Sequence, residues 1–147
     1  MSDVNIVGGT PSTPGFPANT CAMIAAAAYP PGTPVYVSGA STVTQGADTS
    51  AAAAQIMGVL PRASVLGEYG PVQYGGTLTL TEAEWNAVIS DATPAGLTSG
   101  KTYWVGAAGK ITKVAPVSGG SFDGIVGLAL SPQTMLILPC GLAPHSN

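Results

Sequence analysis

The chain has 147 residues, of which 46% are hydrophobic and only 7% are charged, with 20 glycines and 13 prolines. Four basic and seven acidic side chains give a formal net charge of −3 at pH 7, which excludes the basic surface that binds nucleic-acid phosphates. The frequent Gly and Pro favour short strands and turns, and the length suits one domain around one core.

Residues 1–20 are predicted to form an extended N-terminal arm, because paired glycines and three prolines exclude a helix or a central strand. The arm nevertheless carries four apolar side chains that free linkers usually lack, which we take as candidate assembly contacts: Val4, Ile6, Val7 and Phe16. Their burial would contribute about 1.5–3 kcal/mol each, against an ordering cost of about 1–2 kcal/mol per residue. We therefore expect the arm to become ordered only on an assembled particle.

The rest of the chain, residues 21–147, is predicted to be a single β domain made of two related halves, about 32–76 and 100–138. Gly32 corresponds to Gly100 (100 − 32 = 68) and Gly58 to Gly127 (127 − 58 = 69), so one inserted residue keeps the copies in register. Strands are predicted near Met23–Ala28, Pro34–Ser38, Thr42–Gln45, Gln55–Leu60, Pro71–Tyr74, Lys101–Gly106, Lys110–Val114, Gly124–Leu130 and Thr134–Leu138. The repeat preserves apolar alternation and glycines but no acid, base or nucleophile, as expected for a duplicated scaffold. The strands of the first half are expected to superpose on those of the second through an approximate two-fold relation.

One short helix is predicted between the halves. Thr81 to Glu84 form a capping-box pattern, and the helix should run from Glu82 to about Asp91, before Pro94 and Gly96. Trp85 on this helix is expected to pack onto the barrel as a lid; the alternative is stacking on a ligand.

A relaxed phosphate-loop pattern, residues 95–102, ends in Gly100-Lys101-Thr102. A phosphate loop needs a strand before it and a helix after it, whereas here the helix precedes and Tyr103, Trp104 and Val105 favour a strand. In the repeat, Lys101 takes the place of Thr33. The sequence therefore indicates a turn and not a nucleotide site.

Other catalytic and metal-binding patterns are weak. The single histidine, His145, lies two residues before the last printed residue, Asn147, where it would be a poor general base. A catalytic carboxylate pair of the glycosidase type, formed by Asp48 and Asp123 from distant loops, stays an alternative, although both residues suit turns. We expect no enzyme activity, no cofactor and no metal.

The two cysteines, Cys21 and Cys140, are predicted to be either buried free thiols or a disulfide. The longest apolar run, residues 21–28, is about half of the ~18–20 residues that cross a bilayer, and the first residues lack the basic region of a signal peptide. Synthesis in the cytoplasm and no membrane association are expected.

Several motifs between residues 78 and 130 resemble a module of tailed-bacteriophage virion proteins. They are Leu78-Thr-Leu-Thr-Glu-Ala-Glu-Trp85, Gly96-Leu-Thr-Ser-Gly100 with Tyr103-Trp-Val105, Gly109-Lys-Ile-Thr112, and Ile125-Val-Gly127-Leu-Ala-Leu130. This module recurs in capsid decoration (cement) proteins and in fibre or tail-spike domains, and the resemblance covers most of residues 32–138. It supplies no catalytic residues.

The expected fold is mainly β: a small barrel or sandwich from two related halves, with one short α-helix and an extended N-terminal arm. The expected function is a head decoration protein that binds the major capsid protein on the outer capsid surface of a virion, as a homotrimer. The alternative is a fibre or tail module that binds a host-surface glycan or another virion protein.

Overall fold

The computed structural model describes residues 19–91, 93–115 and 122–144, and from Cys140 onward only the backbone. Its fold is mainly β, as predicted. The strands are β1 Thr20–Ala25, β2 Pro34–Gly39, β3 Thr42–Gln45, β4 Gly58–Val59, β5 Tyr69–Gln73, β6 Thr77–Thr79, β7 Thr102–Val105, β8 Ile111–Thr112, β9 Phe122–Ala129 and β10 Thr134–Pro144. The helices are α1 Ala51–Ala54 and α2 Glu82–Val88.

The strands form two five-stranded sheets, one from each half of the chain. The first is a closed barrel in the order β1-β3-β2-β4-β5, and the second has the order β6-β10-β9-β7-β8. Within the repeated segments, β3-β2-β4-β5 corresponds strand for strand to β8-β7-β9-β10. The strand order within the repeated segments is thus the same in the two halves.

The two units also share their register. Tyr36 pairs with Thr44 in the first unit, and Trp104 pairs with Thr112 in the second, each 68 positions later. Val35 pairs with Gly58, and Tyr103 pairs with Gly127. Because a slip of one residue would turn every side chain to the opposite face, this agreement means that equivalent residues face equivalent interiors.

Equivalent backbone hydrogen bonds fix the same turn in both units. The Gly32 N–H donates to the Leu60 carbonyl at 2.8 Å, and the Gly100 N–H donates to the Ala129 carbonyl at 2.7 Å. Gly32 and Gly100 both have a left-handed backbone, with φ of +88° and +82°. Such values strain any residue with a Cβ, which explains why glycine stands at both positions.

The duplication extends beyond the sequence repeat, to strands that the sequence does not show to be related. In the first barrel β1 pairs with β5, and in the second sheet β6 pairs with β10 at the equivalent edge. Ala25 at the end of β1 forms a parallel pair with Val43, while Ile89, directly after α2, forms a parallel bridge with Ile111. The second unit therefore repeats the edge pairing of the first, with α2 inserted before a single parallel bridge, although only the first unit is a closed barrel.

The buried apolar residues form two clusters and not the single core that the length suggested. The smaller one lies inside the barrel and consists of Val35, Val43, Leu60 and Val72. Their equivalents in the second unit, Tyr103, Ile111, Ala129 and Met135, belong to the larger cluster, which also contains Trp85 and Val88 of α2. The larger cluster also contains Ile56 and Val59 of the first half, so it extends across the boundary between the two units.

Helix α1 joins the two units and was not predicted. Its N-cap Ser50 accepts a hydrogen bond from the Ala53 N–H at 3.1 Å, and Ala54 of the helix belongs to the larger cluster. A Cβ on Gly124 of β9 would overlap the Ala54 carbonyl oxygen, so the helix lies directly against that strand. A run of four alanines gave no apolar periodicity from which a helix this short would be predicted.

Several predicted bounds need correction. The strand predicted at Gln55–Leu60 is reduced to Gly58–Val59, strand β6 was missed, and β10 continues from Leu138 to Pro144. Helix α2 has the predicted capping box but ends at Val88, not at Asp91, because Ile89 adopts an extended backbone and joins the closing bridge. The arm boundary is also too late, since Asn19 and Thr20 already pair with the end of β5.

We predict that Gly58→Ala and Gly127→Ala each destabilise the fold by about 1–3 kcal/mol, because a methyl group at either position overlaps a carbonyl of the adjacent strand, that of Gln73 or Leu136. Urea denaturation measures the change. Gly70→Ala is the matched control, because a methyl group on this strand glycine meets nothing within 4 Å. Equal stability of Gly58→Ala and Gly70→Ala would contradict the close approach.

Candidate interaction surface

The described residues contain no group of three or more His, Cys, Asp or Glu side chains that would hold a metal ion. In that same part of the chain, no helix is long and apolar enough to cross a membrane. His145 lies outside the described residues.

The phosphate-loop pattern forms the turn that the repeat predicts. Helix α2 precedes it and strand β7 follows from Thr102, which is the reverse of the order in a phosphate loop. The Lys101 carbonyl accepts from the Ala129 N–H, as the Thr33 carbonyl accepts from the Leu60 N–H, both at 3.0 Å. Lys101 thus occupies the position of Thr33 in the duplicated unit, and its side chain is exposed.

Asp48 and Asp123 are brought close along the backbone, because the Phe122 N–H donates to the Asp48 carbonyl at 3.0 Å. Both residues are partly buried. Asp48 lies between the two units, since its N–H also donates to the Gly106 carbonyl at 3.0 Å. These bonds connect the units through the backbone, which agrees with a structural role for this segment.

Trp85 packs as the predicted lid. Its side chain is fully buried, and the indole N–H donates to the Gln133 carbonyl at 2.8 Å. A Cβ on Gly32 would lie 3.3 Å from the ring, so the indole also contacts the turn of the first unit. With no exposed face, the ring packs into the protein and does not present a surface for stacking on a ligand.

Cys21 is exposed on β1 as a free thiol, so the expectation that it is buried is wrong. It pairs with Val72 on the barrel wall. Nothing is described of the Cys140 side chain, and a pairing of the two cysteines stays a prediction.

The proposed contacts of the arm, Val4, Ile6, Val7 and Phe16, lie outside the described residues. The structure does show where the arm is attached. The Asn19 carbonyl accepts from the Tyr74 N–H at 3.0 Å, and Thr20 pairs with Gln73. The arm therefore joins the barrel at the start of β1.

The opposite end of β1 carries a patch that sequence reasoning missed. Val65, Leu66 and Tyr69 are 55%, 66% and 62% exposed. They are close together because Leu66 forms a parallel bridge with Ala25 and Tyr69 pairs with Ile24, one residue earlier. We call these three residues the rim patch. The only signal in the sequence was an apolar pair within a turn-rich segment.

Backbone hydrogen bonds hold the rim patch in place. The Gly67 N–H donates to the Ala25 carbonyl at 2.9 Å, and the Ala25 N–H donates to the Glu68 carbonyl at 3.2 Å. Just before the patch, the Ser64 N–H donates to the Tyr29 carbonyl, and the Ser64 hydroxyl donates to the Ala27 carbonyl at 2.9 Å. A rigid apolar surface loses little entropy on binding, so the patch is suited to contact a partner.

A small apolar depression lies beside the rim patch, at the open end of the barrel. Met23, Leu60, Gly70 and Val72 contribute to its walls, and it has room for about one water molecule, roughly 10 Å³. Above Gly70 there is open space. In the second unit, α2 covers the equivalent end of the sheet and Trp85 bonds to Gln133, the residue next to β10 that corresponds to Gly70.

No protein-family model and no curated protein matches this chain. Inferences about function therefore depend on the sequence motifs and on the surfaces described above.

We predict that Val65→Ser changes the free energy of unfolding by less than about 0.5 kcal/mol, because the side chain is exposed. Val72→Ser, in the barrel interior, should cost at least about 2 kcal/mol. Urea denaturation of both variants checks this. Equal losses would mean that Val65 belongs to the core and is not available to a partner.

Proposed function

We propose that the chain is a structural virion protein, a head decoration protein that binds the outer surface of a phage capsid and stabilises it. The observation that carries the proposal is a duplicated β scaffold whose exposed features are apolar and not catalytic. Val65, Leu66 and Tyr69 are exposed in a chain with 7% charged residues. The resemblance of its sequence motifs to those of phage virion modules supports a location on a virion.

Decoration subunits act in many copies, and each copy needs only modest contacts. The exposed apolar side chains lie on both units, including Val37 on the first and Val114 and Leu130 on the second. Such a distribution favours a subunit that touches several neighbours over a subunit with a single binding cleft. The major capsid protein and further copies of the same chain are the proposed partners.

The number of copies per purified virion tests the proposal. Quantitative mass spectrometry against the major capsid protein should give hundreds of copies, as a capsid lattice requires. A handful of copies would assign the chain to the tail or to a fibre, which is the alternative function.

We predict that the purified chain forms a homotrimer, because a sparsely charged surface with exposed Val and Leu side chains is stabilised by association. Multi-angle light scattering over a range of concentrations measures the mass. A monodisperse monomer throughout, together with isolated subunits on the virion, would contradict the trimer.

Deletion of residues 2–18 should leave the barrel folded and lower the occupancy of capsids. The barrel is expected to fold because its first strand begins at Thr20 and pairs with β5 without the deleted residues. Circular dichroism checks the fold, and binding to undecorated capsids gives the occupancy. Unchanged capsid affinity of the truncated chain would assign attachment to the barrel loops.

A further inference from the structure

We infer that the cleft between helix α1 and the end of strand β2 is a strand-addition site, where an extended apolar segment of a different protein pairs with the backbone of β2. The cleft has a volume of about 300 Å³ and is lined by Val37, Ala52, Gln55 and Ile56. The inference goes beyond the proposed location on a virion. Its test uses the purified chain, so a failure here is distinguishable from a failure of the decoration function.

The first argument is a part of β2 that no described strand covers. On the side of β4, strand β2 pairs only through Pro34 and Val35, although it continues to Gly39. The Val35 carbonyl points to this side, because it accepts from the Met57 N–H at 2.8 Å. Peptide groups two residues apart in a strand point the same way, so the N–H and C=O of Val37 face this side as well. They form an open edge beside the cleft.

The edge strands of the second sheet, β6 and β8, are by contrast covered in part by the chain's own groups. At β8, the Ser90 N–H donates to the Ile111 carbonyl at 2.9 Å. At β6, the side-chain amide of Gln73 donates to the Thr77 carbonyl at 2.8 Å. Proteins commonly cover such edges, because an open row of N–H and C=O groups is a template for pairing with another chain. The end of β2 lacks this protection within the described part of the chain.

The second argument is the unequal covering of two equivalent residues. Val37 pairs with Val43, and 68 positions later Val105 pairs with Ile111. Val105 is fully buried, and strand β9 lies against it, because a Cβ on Gly124 would be 2.9 Å from its side chain. Val37, however, is 54% exposed. The second unit thus holds an extended segment of β9 at the place where the first unit has the cleft.

Helix α1 explains why the first unit has no such segment. Gln55 corresponds to Gly124 with the offset that relates Gly58 to Gly127 (124 − 55 = 69). Gln55 does not extend β4, because it ends α1 and its N–H donates to the Ala52 carbonyl at 3.2 Å. The N–H of the next residue donates to a carbonyl of the same helix at 2.9 Å. Both N–H groups are therefore engaged by α1 and not by β2.

The third argument identifies the occupant. In the second unit, the backbone of β9 runs antiparallel to β7 at the equivalent place, so the cleft fits an extended strand antiparallel to β2. None of the four lining side chains is charged, and Val37 and Ile56 are aliphatic, which favours an apolar segment over a charged one.

The size of the open edge agrees with a peptide segment. Only Val37–Gly39 of β2 are free on this side, which is far less than the ~800 Å² per partner of a stable interface between globular proteins. Backbone pairing at a sheet edge, with a side chain in an adjoining pocket, is the way in which extended peptides are bound. The described strands of a second copy are engaged in their own sheets, so we assign the segment to a different protein.

An NMR titration tests the inference. The ¹⁵N-labelled full chain is titrated with a capped peptide of residues 121–126, Ser-Phe-Asp-Gly-Ile-Val, carrying Asp123→Ala to remove its charge. We expect saturable shift changes at Val37–Gly39 and Gln55, with a dissociation constant of about 1 mM, and slower hydrogen exchange of the Val37 amide. The control peptide carries Gly124→Pro and Ile125→Pro. It lacks two successive N–H groups, one of which faces β2 in a paired strand, and should not bind.

Substitutions in the full chain give an independent measurement. Val37→Asp places a charge in the cleft, and Ala52→Arg fills the cleft from the exposed side of α1. Each should weaken binding of the peptide about tenfold, while circular dichroism shows the fold to be unchanged. Val114→Asp introduces the same charge at a similarly exposed valine and should leave peptide binding unchanged.

Three results would overturn the inference: no saturable binding up to about 5 mM peptide, equal binding of the proline peptide, or shift changes confined to other surfaces. Light scattering of Val37→Asp examines the remaining occupant, a second copy. Loss of self-association in this variant would assign the cleft to another copy of the chain and would also overturn the inference.

Discussion

The close contact between the third and fourth strands of each repeat is the constraint on which the structure depends. Gly58 and Gly127 lie so near the carbonyls of Gln73 and Leu136 that no side chain fits between them. That approach fixes β4 against β5 and β9 against β10, and the pairing of Gly58 with Val35 and of Gly127 with Tyr103 sets the neighbouring strand. Because register determines which face each side chain takes, the interiors of both units follow from these contacts.

The two units share the same strand scaffold but differ in the elements that complete it. The first closes into a barrel through the pairing of β1 with β3, and its interior is filled by four small or medium apolar residues. The second inserts α2 before its closing bridge and buries Trp85, which extends the larger core. As a result, the second unit has a sealed end, and the first has an exposed apolar rim. The two copies thus differ in which apolar side chains they leave exposed.

Assembly is the function that agrees with this distribution of features. The polar side chains with well-defined partners serve the fold: Gln73 donates to the carbonyls of Gly75 and Thr77, both at 2.8 Å, and so fixes the reversal that leads into the second unit. Several large apolar side chains, by contrast, are exposed, among them Val65, Leu66 and Tyr69. In the proposed function, many copies on a regular lattice would multiply contacts that are individually modest.

The sequence by itself determined the β class, the duplication with its offset, and the capping box of α2. These are local or periodic properties, readable from the alternation around Tyr36 and Trp104 and from the spacing of Thr81 and Glu84. Tertiary structure alone decided that the buried residues form two clusters, that Ala51–Ala54 form a helix between the units, and that Val65 and Leu66 stay exposed. The physical reason is that burial is a property of strand partners distant in sequence: Ala54 is buried by β9 and β10, whereas Leu66 beside Ala25 has nothing above it in the described chain. The local sequence therefore does not distinguish an apolar residue that a distant strand buries, such as Ala54, from one that stays exposed, such as Leu66.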